Sequence, residues 1–386
     1  MKGTILYFMN HVDQGGAALA LYDLLVEIKR SKAHQYKLIV VTGKQNKLND
    51  MLTTQNIENY SASFKNFLSS YRKPVFFWRI FIILRYWICK LKAIREIESK
   101  INFDLVDIIH SNLDRIDIGA YFSKKYGIPH IWHIRENAKG DFKLMSVFSN
   151  PISHMLSYPS TYISISQVVT KHWIEYGIPS SCIHLIYDGV RSECFTVSHS
   201  PQNEKLRFVF LGGYSKSKGQ EFFIESLASL PPQLLHKMEV DFYGNGDTRY
   251  MSELNNYIVE KNLSGFVRLY TYNPNIYMKL PNYDVGVNCS VNEGFGRITV
   301  EYMMAGLCPL VSDTGANIEI VKNGQTGIVF KYGNISDIRD KIIFLLDNRS
   351  YLYELGKRAK NHAINMFSMR KHAEKVLSLY KEILDK

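Results

Sequence analysis

Apolar residues along the chain recur in short continuous runs that are separated by longer segments with helical spacing. A continuous apolar run is typical of a strand that is buried on both faces of a parallel sheet. The runs occupy residues 3–10, 36–43, 105–112, 129–136, 161–167, 206–213, 238–246, 267–272, 283–290, 307–313 and 327–330. The pattern therefore predicts parallel sheets that are covered by helices on both faces, an α/β architecture.

The alternation is interrupted at residues 186–205, which are polar and without periodicity. A chain of 386 residues also suits two domains better than one. We therefore predict two doubly wound domains with a ligand cleft at the carboxyl ends of their strands. The boundaries that we predict are a first domain at 1–190, a linker at 191–205, a second domain at 206–370 and a C-terminal helix at 371–386 that packs back toward the first domain.

Cysteine spacing and the lengths of the apolar runs indicate the cellular compartment of the protein. The five cysteines have neither disulfide-like nor zinc-like spacing, which favours a reducing compartment. The first apolar run is too short for a secretion signal, and no apolar run reaches the roughly 20 residues of a membrane span. We therefore expect a cytoplasmic protein.

The net charge of +11 could serve nucleic acid, an anionic membrane or a phosphorylated ligand. Residues 71–100 hold eight Lys/Arg and two Glu among many large apolar side chains. A basic, aromatic helix of this kind is typical of contact with an anionic bilayer surface. The alternative is a core helix whose basic side chains extend to water. On the membrane hypothesis, the basic residues that bind lipid include Arg79, Arg85, Lys90 and Lys92.

A glycine-rich turn carries two glutamates between a predicted strand and a predicted helix. The stretch NEGFGRITVEYMMAG places Glu293 and Glu301 around Gly294, Phe295 and Gly296. A strand, glycine turn and helix expose backbone N–H groups at a helix N-terminus, which binds phosphate. Carboxylates beside it suit sugar hydroxyls rather than the phosphate. The ligand indicated is a nucleotide sugar; the alternative is that both glutamates only stabilise the helix N-terminus.

These stretches resemble the retaining GT-B glycosyltransferases of glycosyltransferase family 4 (glycosyl transferases group 1), over nearly the whole chain. The resemblance implies two Rossmann-like domains facing a central cleft, the first binding the acceptor and the second the nucleotide sugar. Its most specific part is the Glu-x7-Glu element from Glu293 to Glu301. The resemblance implies that Glu301 binds the ribose and that Glu293 contacts the donor sugar. Backbone N–H groups of Gly294, Phe295 and Gly296 would contact the sugar or the diphosphate.

A second stretch, FLGGYSKSKGQEFFIESL, is similar to the family's diphosphate-binding segment. Lys218 falls on the family's lysine, where a cation stabilises the departing diphosphate as charge builds in the transition state. The chain departs from the family at Gly213, where an arginine is usual. Lys216 is the candidate for the second positive charge.

Two stretches of the first domain complete the resemblance. HVDQGGAALAL resembles the glycine-rich loop in which Gly15 and Gly16 open a helix and approach the donor diphosphate or the acceptor. IWHIRE resembles the strand end whose histidine, here His133, hydrogen-bonds a donor-sugar hydroxyl or stabilises charge near the reacting carbon. The alternative is a structural histidine at a strand end. Arg135 and Glu136 are candidates to face the acceptor, and His110 is a lesser candidate at the same sheet edge.

No Asp-x-Asp occurs in the chain, the motif by which glycosyltransferases of the other main fold hold Mn²⁺ or Mg²⁺. We therefore expect neither a metal nor a cofactor beyond the nucleotide-sugar substrate. The function indicated is retaining transfer of a sugar to a hydroxyl of a glycan or lipid-linked acceptor, in surface polysaccharide synthesis, on the inner face of the membrane.

Two rival functions stay open. One is another enzyme on the same fold, such as a nucleotide-sugar epimerase or a glycogen-type synthase. The other is a non-enzymatic binder of anionic lipid or nucleic acid. Nucleic acid is disfavoured because the excess charge lies among large apolar residues and no nucleic-acid-binding motif is present.

Overall fold

The contacts of this computed structural model divide the chain into two units. Unit 1 comprises Met1–Gly189 and Met369–Lys386, and unit 2 comprises Val190–Ser368. The structure describes residues 3–10, 15–31, 36–69, 76–136, 145–195 and 204–385. Part of the predicted linker, residues 196–203, lies outside that description. The C-terminal helix belongs to unit 1, so the chain enters unit 2 after Gly189 and leaves it after Ser368.

Unit 1 is built on a parallel sheet with strand order β3-β2-β1-β5-β6-β8-β9. Its strands are β1 (Gly3–Met9), β2 (Tyr36–Thr42), β3 (Glu58–Ser61), β5 (Ile108–Ser111), β6 (His130–Ile134), β8 (Thr161–Ser164) and β9 (Ile183–Leu185). Two short strands, β4 (Leu68–Ser69) and β7 (Met145–Ser146), form a separate antiparallel pair. The five continuous apolar runs in this part of the chain all contain strands, as predicted, whereas the polar edge strand β3 was not predicted.

The helices of unit 1 lie between these strands. They are α1 (Gly16–Arg30), α2 (Lys47–Thr54), α3 (Phe76–Glu98), α4 (Ile118–Tyr126), α5 (Pro151–Leu156), α6 (Gln167–Glu175) and, from the end of the chain, α15 (Met369–Leu384), with 3₁₀ turns at Phe103–Leu105 and Ser180–Cys182. Because α15 buries Met369, Ala373, Val376 and Tyr380 in the same apolar core as β1 and α1, it is an integral helix of unit 1.

Unit 2 repeats the architecture on a six-stranded parallel sheet with the order β12-β11-β10-β13-β14-β15. Its strands are β10 (Leu206–Leu211), β11 (Met238–Gly244), β12 (Val267–Thr271), β13 (Val285–Asn288), β14 (Cys308–Ser312) and β15 (Ile328–Phe330). This is the doubly wound order in which the direction of winding reverses between two central strands. Here the reversal falls between β10 and β13, so ligands are expected beyond the carboxyl ends of these two strands.

Helices cover both faces of the second sheet. They are α7 (Gln220–Ala228), α8 (Pro232–Leu235), α9 (Thr248–Glu260), α10 (Ile276–Lys279), α11 (Arg297–Ala305), α12 (Asn317–Ile320), α13 (Ile335–Asp347) and α14 (Arg349–Phe367), with 3₁₀ turns at Ser192–Phe195, Lys216–Lys218 and Leu280–Asn282. Both units therefore have the predicted Rossmann-like architecture.

Helix α3 is apolar on two opposite sides. Its inner side buries Ile82, Tyr86, Ala93 and Ile97. Its other side, which we call the outer α3 face, consists of Trp78, Ile80, Phe81, Leu84, Trp87, Ile88 and Leu91, each 43–66% exposed. Large apolar side chains that lie this close together on a surface usually mark an interaction site. In the described part of the chain, no helix combines the length and the hydropathy required to cross a membrane.

The prediction that Lys90 belongs to the basic surface of α3 was wrong. Lys90 is 4% exposed, and its Nζ lies 2.6 Å from Oδ2 of the buried Asp117. The same carboxylate oxygen accepts hydrogen bonds from Tyr86 and His154. Arg79, in contrast, is exposed, as predicted.

Candidate functional site

The loop after β10 places Lys218 at the winding reversal of unit 2. The strand ends at Leu211, and a 3₁₀ turn follows at Lys216–Lys218. Gly219 then adopts a left-handed conformation with φ 77°, and a Cβ at this position would lie 2.3 Å from the carbonyl oxygen of Cys289. Only glycine allows this approach, so the loop packs directly against the end of β13.

The loop after β13 is fixed from several directions. The Asn288 side chain donates to Thr299 Oγ1 at 2.9 Å and accepts from the backbone N–H of Ser290 at 3.0 Å. The backbone carbonyl of Glu293 accepts from the N–H of Ala316 at 2.9 Å. These contacts hold the predicted EGFG turn before α11, which begins after Gly296 (φ 86°).

Helix α11 is anchored to the two central strands by one side chain. The Tyr302 hydroxyl accepts from the N–H of Leu211 at 2.6 Å, at the end of β10. The same hydroxyl donates to the carbonyl of Val287 in β13 at 3.3 Å. Burial raises the pKa of Tyr302 well above its ordinary value, so the phenol keeps its proton and the contact persists. The N-terminus of α11 is thereby set at the reversal point.

The structure brings two of the predicted catalytic residues into direct contact. Lys218 Nζ lies 3.2 Å from Glu293 Oε2 and 3.4 Å from Ser290 Oγ. Both charged side chains are partly exposed, 31% for Lys218 and 17% for Glu293. They therefore remain accessible to a ligand beside the α11 N-terminus, which contributes further positive potential.

Glu301 lies on α11 in a more enclosed position, at 4% exposed. Its Oε1 accepts from the Tyr277 hydroxyl at 3.2 Å and from Arg297 Nε at 3.1 Å. Burial, together with the neighbouring Glu301 charge, raises the pKa of Tyr277 far above its usual range. Tyr277 therefore stays a donor and orients the carboxylate. Tyr277 was not predicted from the sequence because it lies 24 positions away from Glu301.

The two positions considered for a second cation differ in their surroundings. Gly213 has no side chain to offer, and its carbonyl accepts from Gln220 at 2.9 Å. Lys216 is exposed at the start of the 3₁₀ turn. Phe295, in the turn before α11, is buried and lies edge-on to Phe367, which makes it a packing residue of the turn as well as a source of backbone N–H.

Unit 1 contains the remaining predicted positions. Gly15 precedes α1, and its carbonyl accepts from Ala18 and Leu19. A Cβ added at Gly16 would meet nothing within 4 Å, so no neighbouring atom of the chain requires glycine there. The rest of the predicted loop, residues 11–14, lies outside the described residues.

His133 is fully buried in a chain of polar contacts that we call the histidine network. Its members are Tyr7, His110, His133, Arg135, Asp188, His372 and Tyr380. Tyr380 Oη lies 2.8 Å from Tyr7 Oη and 2.7 Å from His110 Nδ1. His133 Nδ1 lies 3.3 Å from His110 Nε2 and 3.4 Å from Arg135 Nη2. Burial first, and then the Arg135 charge, lower the pKa of both His110 and His133 well below the ordinary value.

The candidate acceptor-facing residues are paired within unit 1. Arg135 binds Asp188 and also donates to Asn112 Oδ1. Glu136 binds Arg115. Asp188 was not predicted because it lies in the aperiodic polar stretch that follows β9. His372 was not predicted because the C-terminal helix contains no motif. Within the described ranges, no group of three or more His, Cys, Asp or Glu side chains is placed to hold a metal ion.

Comparison with known proteins shows which family and which folds the chain resembles. Residues 195–362 match the family described as "Glycosyl transferases group 1". An uncharacterised glycosyltransferase of Methanocaldococcus jannaschii is 25% identical, over 72% of this chain and 76% of the relative. Spore coat protein SA of Bacillus subtilis is 27% identical, over 72% and 85%.

Solved structures resemble the whole chain. HepE of Anabaena, in complex with UDP and glucose, superposes with a TM-score of 0.79 at 18% identity, over 98% of this chain and 100% of HepE. A glycosyltransferase from Rickettsia africae superposes with a TM-score of 0.78 at 19% identity, over 99% and 98%. These findings confirm the resemblance at the level of fold and family match: residues 195–362 match the group 1 glycosyl transferases, and the chain has the GT-B fold.

Proposed function

We propose that this glycosyltransferase moves a sugar from a nucleoside-diphosphate sugar to an acceptor hydroxyl, with retention of the anomeric configuration and without a bound metal ion. The observation that carries the proposal is the Lys218–Glu293 pair at the reversal point of unit 2, 3.2 Å apart and next to the N-terminus of α11. A cation and a helix N-terminus stabilise a diphosphate, and carboxylates bind sugar hydroxyls. The site therefore offers groups that can bind both the diphosphate and the sugar of the donor.

The roles divide along the donor. Glu301, oriented by Tyr277, accepts from the ribose hydroxyls. Lys218 and the backbone N–H groups of residues 294–296 bind the diphosphate, whose charge grows as the sugar–oxygen bond breaks. Glu293 contacts the donor sugar and keeps Lys218 in place before the donor binds. Because the Lys218 ammonium contacts Glu293 at 3.2 Å and would compete for its oxygen, Glu293 is a poor candidate for a covalent nucleophile, and we favour attack of the acceptor on the same face from which the diphosphate leaves.

His133 and the glycines of unit 1 complete the proposal. His133 would contribute a neutral imidazole that hydrogen-bonds a donor-sugar hydroxyl, and Gly15 and Gly16 would let a ligand approach the start of α1. The family's second cation would come from Lys216. Each of these three assignments rests on the resemblance to the family together with the placement described above.

The donor is tested by a panel of nucleotide sugars. Since HepE was crystallised with UDP and with UDP-glucose, UDP-sugars come first, followed by GDP-, ADP- and TDP-sugars. A ligand at a hundredfold excess over its dissociation constant should stabilise the protein by about 2.7 kcal/mol, which a thermal-shift assay resolves. If no nucleotide sugar raises the melting temperature, or if Glu301→Ala responds like the wild type, the proposed donor site is wrong.

We also propose that the protein acts at an anionic membrane surface, on a lipid-linked or surface-polysaccharide acceptor. The support comes from α3, whose outer face is apolar and whose exposed flanks carry Arg79, Arg85, Lys92 and Arg95. Aromatic and apolar side chains enter the acyl boundary while Lys and Arg bind lipid headgroups. The charge of the helix therefore favours an anionic bilayer as the occupant of this face.

A charge-matched pair of variants tests the membrane proposal. Arg79→Gln/Arg85→Gln/Lys92→Gln removes three basic groups from α3, each worth roughly 1 kcal/mol on an anionic surface. Partition onto phosphatidylglycerol vesicles should fall on the order of 100-fold. The control Lys171→Gln/Arg249→Gln/Arg370→Gln lowers the net charge equally at residues that are 79–86% exposed.

Tryptophan fluorescence can detect insertion of the outer α3 face into vesicles. Trp78 and Trp87 lie on the outer α3 face, while Trp132 and Trp173 are buried. Insertion should therefore shift the emission to the blue on vesicles at low salt, and the shift should fade as salt rises. Equal loss of binding in both triple variants, or a wild type that ignores anionic vesicles, would remove the membrane proposal without affecting the donor site.

A further inference from the structure

Three buried polar atoms of the histidine network point at one another without touching. They are His133 Nε2, Asp188 Oδ1 and His372 Nε2, and none has a hydrogen-bond partner among the described residues. Asp188 Oδ1 lies 3.9 Å from each of the two histidine nitrogens. These separations are too long for direct hydrogen bonds, and a buried polar atom that stays unpaired is costly. The three atoms therefore surround a position that requires a small polar partner.

The surroundings determine which of these atoms carries a proton. His372 Nδ1 lies 2.7 Å from the carbonyl of Tyr187, which can only accept, so Nδ1 holds the proton and Nε2 has a lone pair. His133 Nδ1 faces the guanidinium of Arg135, which can only donate, so Nδ1 has the lone pair and Nε2 holds the proton. Burial lowers the pKa of both histidines, with the Arg135 charge adding to the effect, so both stay neutral.

The other end of the network agrees with this assignment. If His133 Nδ1 accepts, then His110 Nε2 must donate to it, and His110 Nδ1 must accept. Tyr380 can meet that requirement by donating to His110 Nδ1, while it accepts from Tyr7. With this assignment, each group between Tyr7 and His133 donates one hydrogen bond to the next group in the network. The converging atoms are one donor, His133 Nε2–H, and two acceptors, Asp188 Oδ1 and His372 Nε2.

We propose that His133, Asp188 and His372 hold one buried water, and that Asp188 and His372 act through it as positioning residues for His133. A water that accepts from His133 and donates to Asp188 and His372 makes three hydrogen bonds, the usual number for an internal water. A cation is disfavoured because His133 presents N–H, and an anion is disfavoured by the Asp188 carboxylate.

The water joins three separate parts of unit 1. His133 lies on β6, Asp188 comes just before the chain enters unit 2, and His372 comes just after the chain returns. These two segments pack closely, because a Cβ on Gly189 would lie 2.7 Å from Cα of Met369 and 2.8 Å from Cβ of His372. The water site therefore fixes His133 relative to the segment that leads into unit 2 and to the segment that returns from it. Its existence does not depend on the proposed function; its relevance to turnover rests on the proposed role of His133, in which a donor-sugar hydroxyl replaces the water as the acceptor from His133 Nε2–H.

The experiment combines a high-resolution crystal structure of the free full-length protein with proton-detected spectra of ¹⁵N-histidine-labelled protein. We expect water density within hydrogen-bond distance of all three atoms, and a His133 signal that is protonated on Nε2. In His372→Phe the His133 N–H should exchange with solvent roughly 5-fold faster, since the trapped water loses one hydrogen bond of about 1 kcal/mol. His362→Phe, in unit 2, should leave the exchange rate unchanged.

Two results would overturn the inference: no density at the position, or His133 protonated on Nδ1. If His372→Phe fails to fold, Gly189→Ala takes its place, because its Cβ pushes α15 away from Asp188. Gly265→Ala, where a Cβ meets nothing within 4 Å, is the matched control. A purely structural role for His372 would lower stability while leaving the His133 exchange rate as it is in the wild type, and this outcome also counts against positioning.

Discussion

Replacing Lys90 by methionine tests whether the buried Lys90–Asp117 pair holds α3 in place. Asp117 Oδ2 lies 2.6 Å from Lys90 Nζ and 2.9 Å from His154 Nε2. Burial acts to raise the pKa of Asp117, but hydrogen bonds from His154, Lys90 and Tyr86, together with the Lys90 charge, outweigh it and lower the pKa below its ordinary value. The carboxylate is therefore ionised, and its stability depends on these donors.

Removing Lys90 leaves a buried negative charge with fewer partners. The loss of one partner from a buried ion pair costs about 3–5 kcal/mol. Lys92→Met is the control, because Lys92 is 67% exposed and 3.7 Å from Glu96, a geometry worth roughly 0.5 kcal/mol or less. Adding Asp117→Asn to Lys90→Met should recover part of the loss, since the neutral amide no longer buries a charge and its oxygen still accepts from Tyr86 and His154.

The assay uses the distribution of tryptophan. All four tryptophans of the chain lie before residue 174, within unit 1. Urea unfolding followed by tryptophan fluorescence therefore reports the free energy of unfolding of unit 1 alone, even if unit 2 unfolds separately. A Lys90→Met loss as small as that of Lys92→Met would show that the buried pair does not hold α3 in place, and so would a double variant less stable than Lys90→Met.

Four further predictions concern the donor site and the histidine network. Lys218→Ala should lower kcat on the order of 100-fold with a smaller effect on donor affinity. Lys216→Ala should have a similar effect if Lys216 supplies the second cation. Steady-state kinetics measures both effects. Glu301→Ala should weaken nucleotide binding by roughly 1.5–3 kcal/mol, measured by calorimetry, and an unchanged affinity would remove the ribose role. EDTA should leave activity intact, and a strict requirement for added Mn²⁺ or Mg²⁺ would contradict this. The three histidines of the network have folded pKa values below the unfolded value of about 6.5. The free energy of unfolding of unit 1 should therefore fall by up to about 1.4 kcal/mol per histidine for each pH unit below 6.5, and these histidines should not change it above that pH. A urea midpoint that is flat from pH 7 to 5.5 would contradict the assignment of neutral histidines.

Local patterns predicted the architecture because buried parallel strands are continuously apolar. The runs at residues 206–213 and 283–290 placed β10 and β13, and the glycine turn before α11 placed Glu293 near the carboxyl end of the sheet. Edge strands carry a weaker signal: β3 reads ENYS, and all four residues are partly exposed. Their pairing depends on a neighbouring strand rather than on their own composition.

Contacts between residues distant in sequence could not be predicted. Lys90 and the exposed Lys92 are the same residue type two positions apart in α3, but Lys90 is buried and paired with Asp117, 27 residues away. Likewise, His133 acquires its environment from Asp188 and His372, which no motif connects to it. Charge and hydropathy along the sequence predict that α3 has a basic and apolar surface. They do not predict which residue pairs with a buried charge, because tertiary packing determines that.

The proposed retaining transfer from a nucleotide sugar at the Lys218–Glu293–Glu301 site can be tested by following the donor and its product by proton NMR. The donor selected by thermal shift is incubated with the wild type, and the first-formed anomer of the transferred or hydrolysed sugar is recorded before it equilibrates. We predict release of the nucleoside diphosphate together with a product of the same anomeric configuration as the donor, at a rate on the order of 100-fold lower in Lys218→Ala. An inverted product would contradict retention, and a rate that Lys218→Ala leaves unchanged would contradict the proposed role of Lys218.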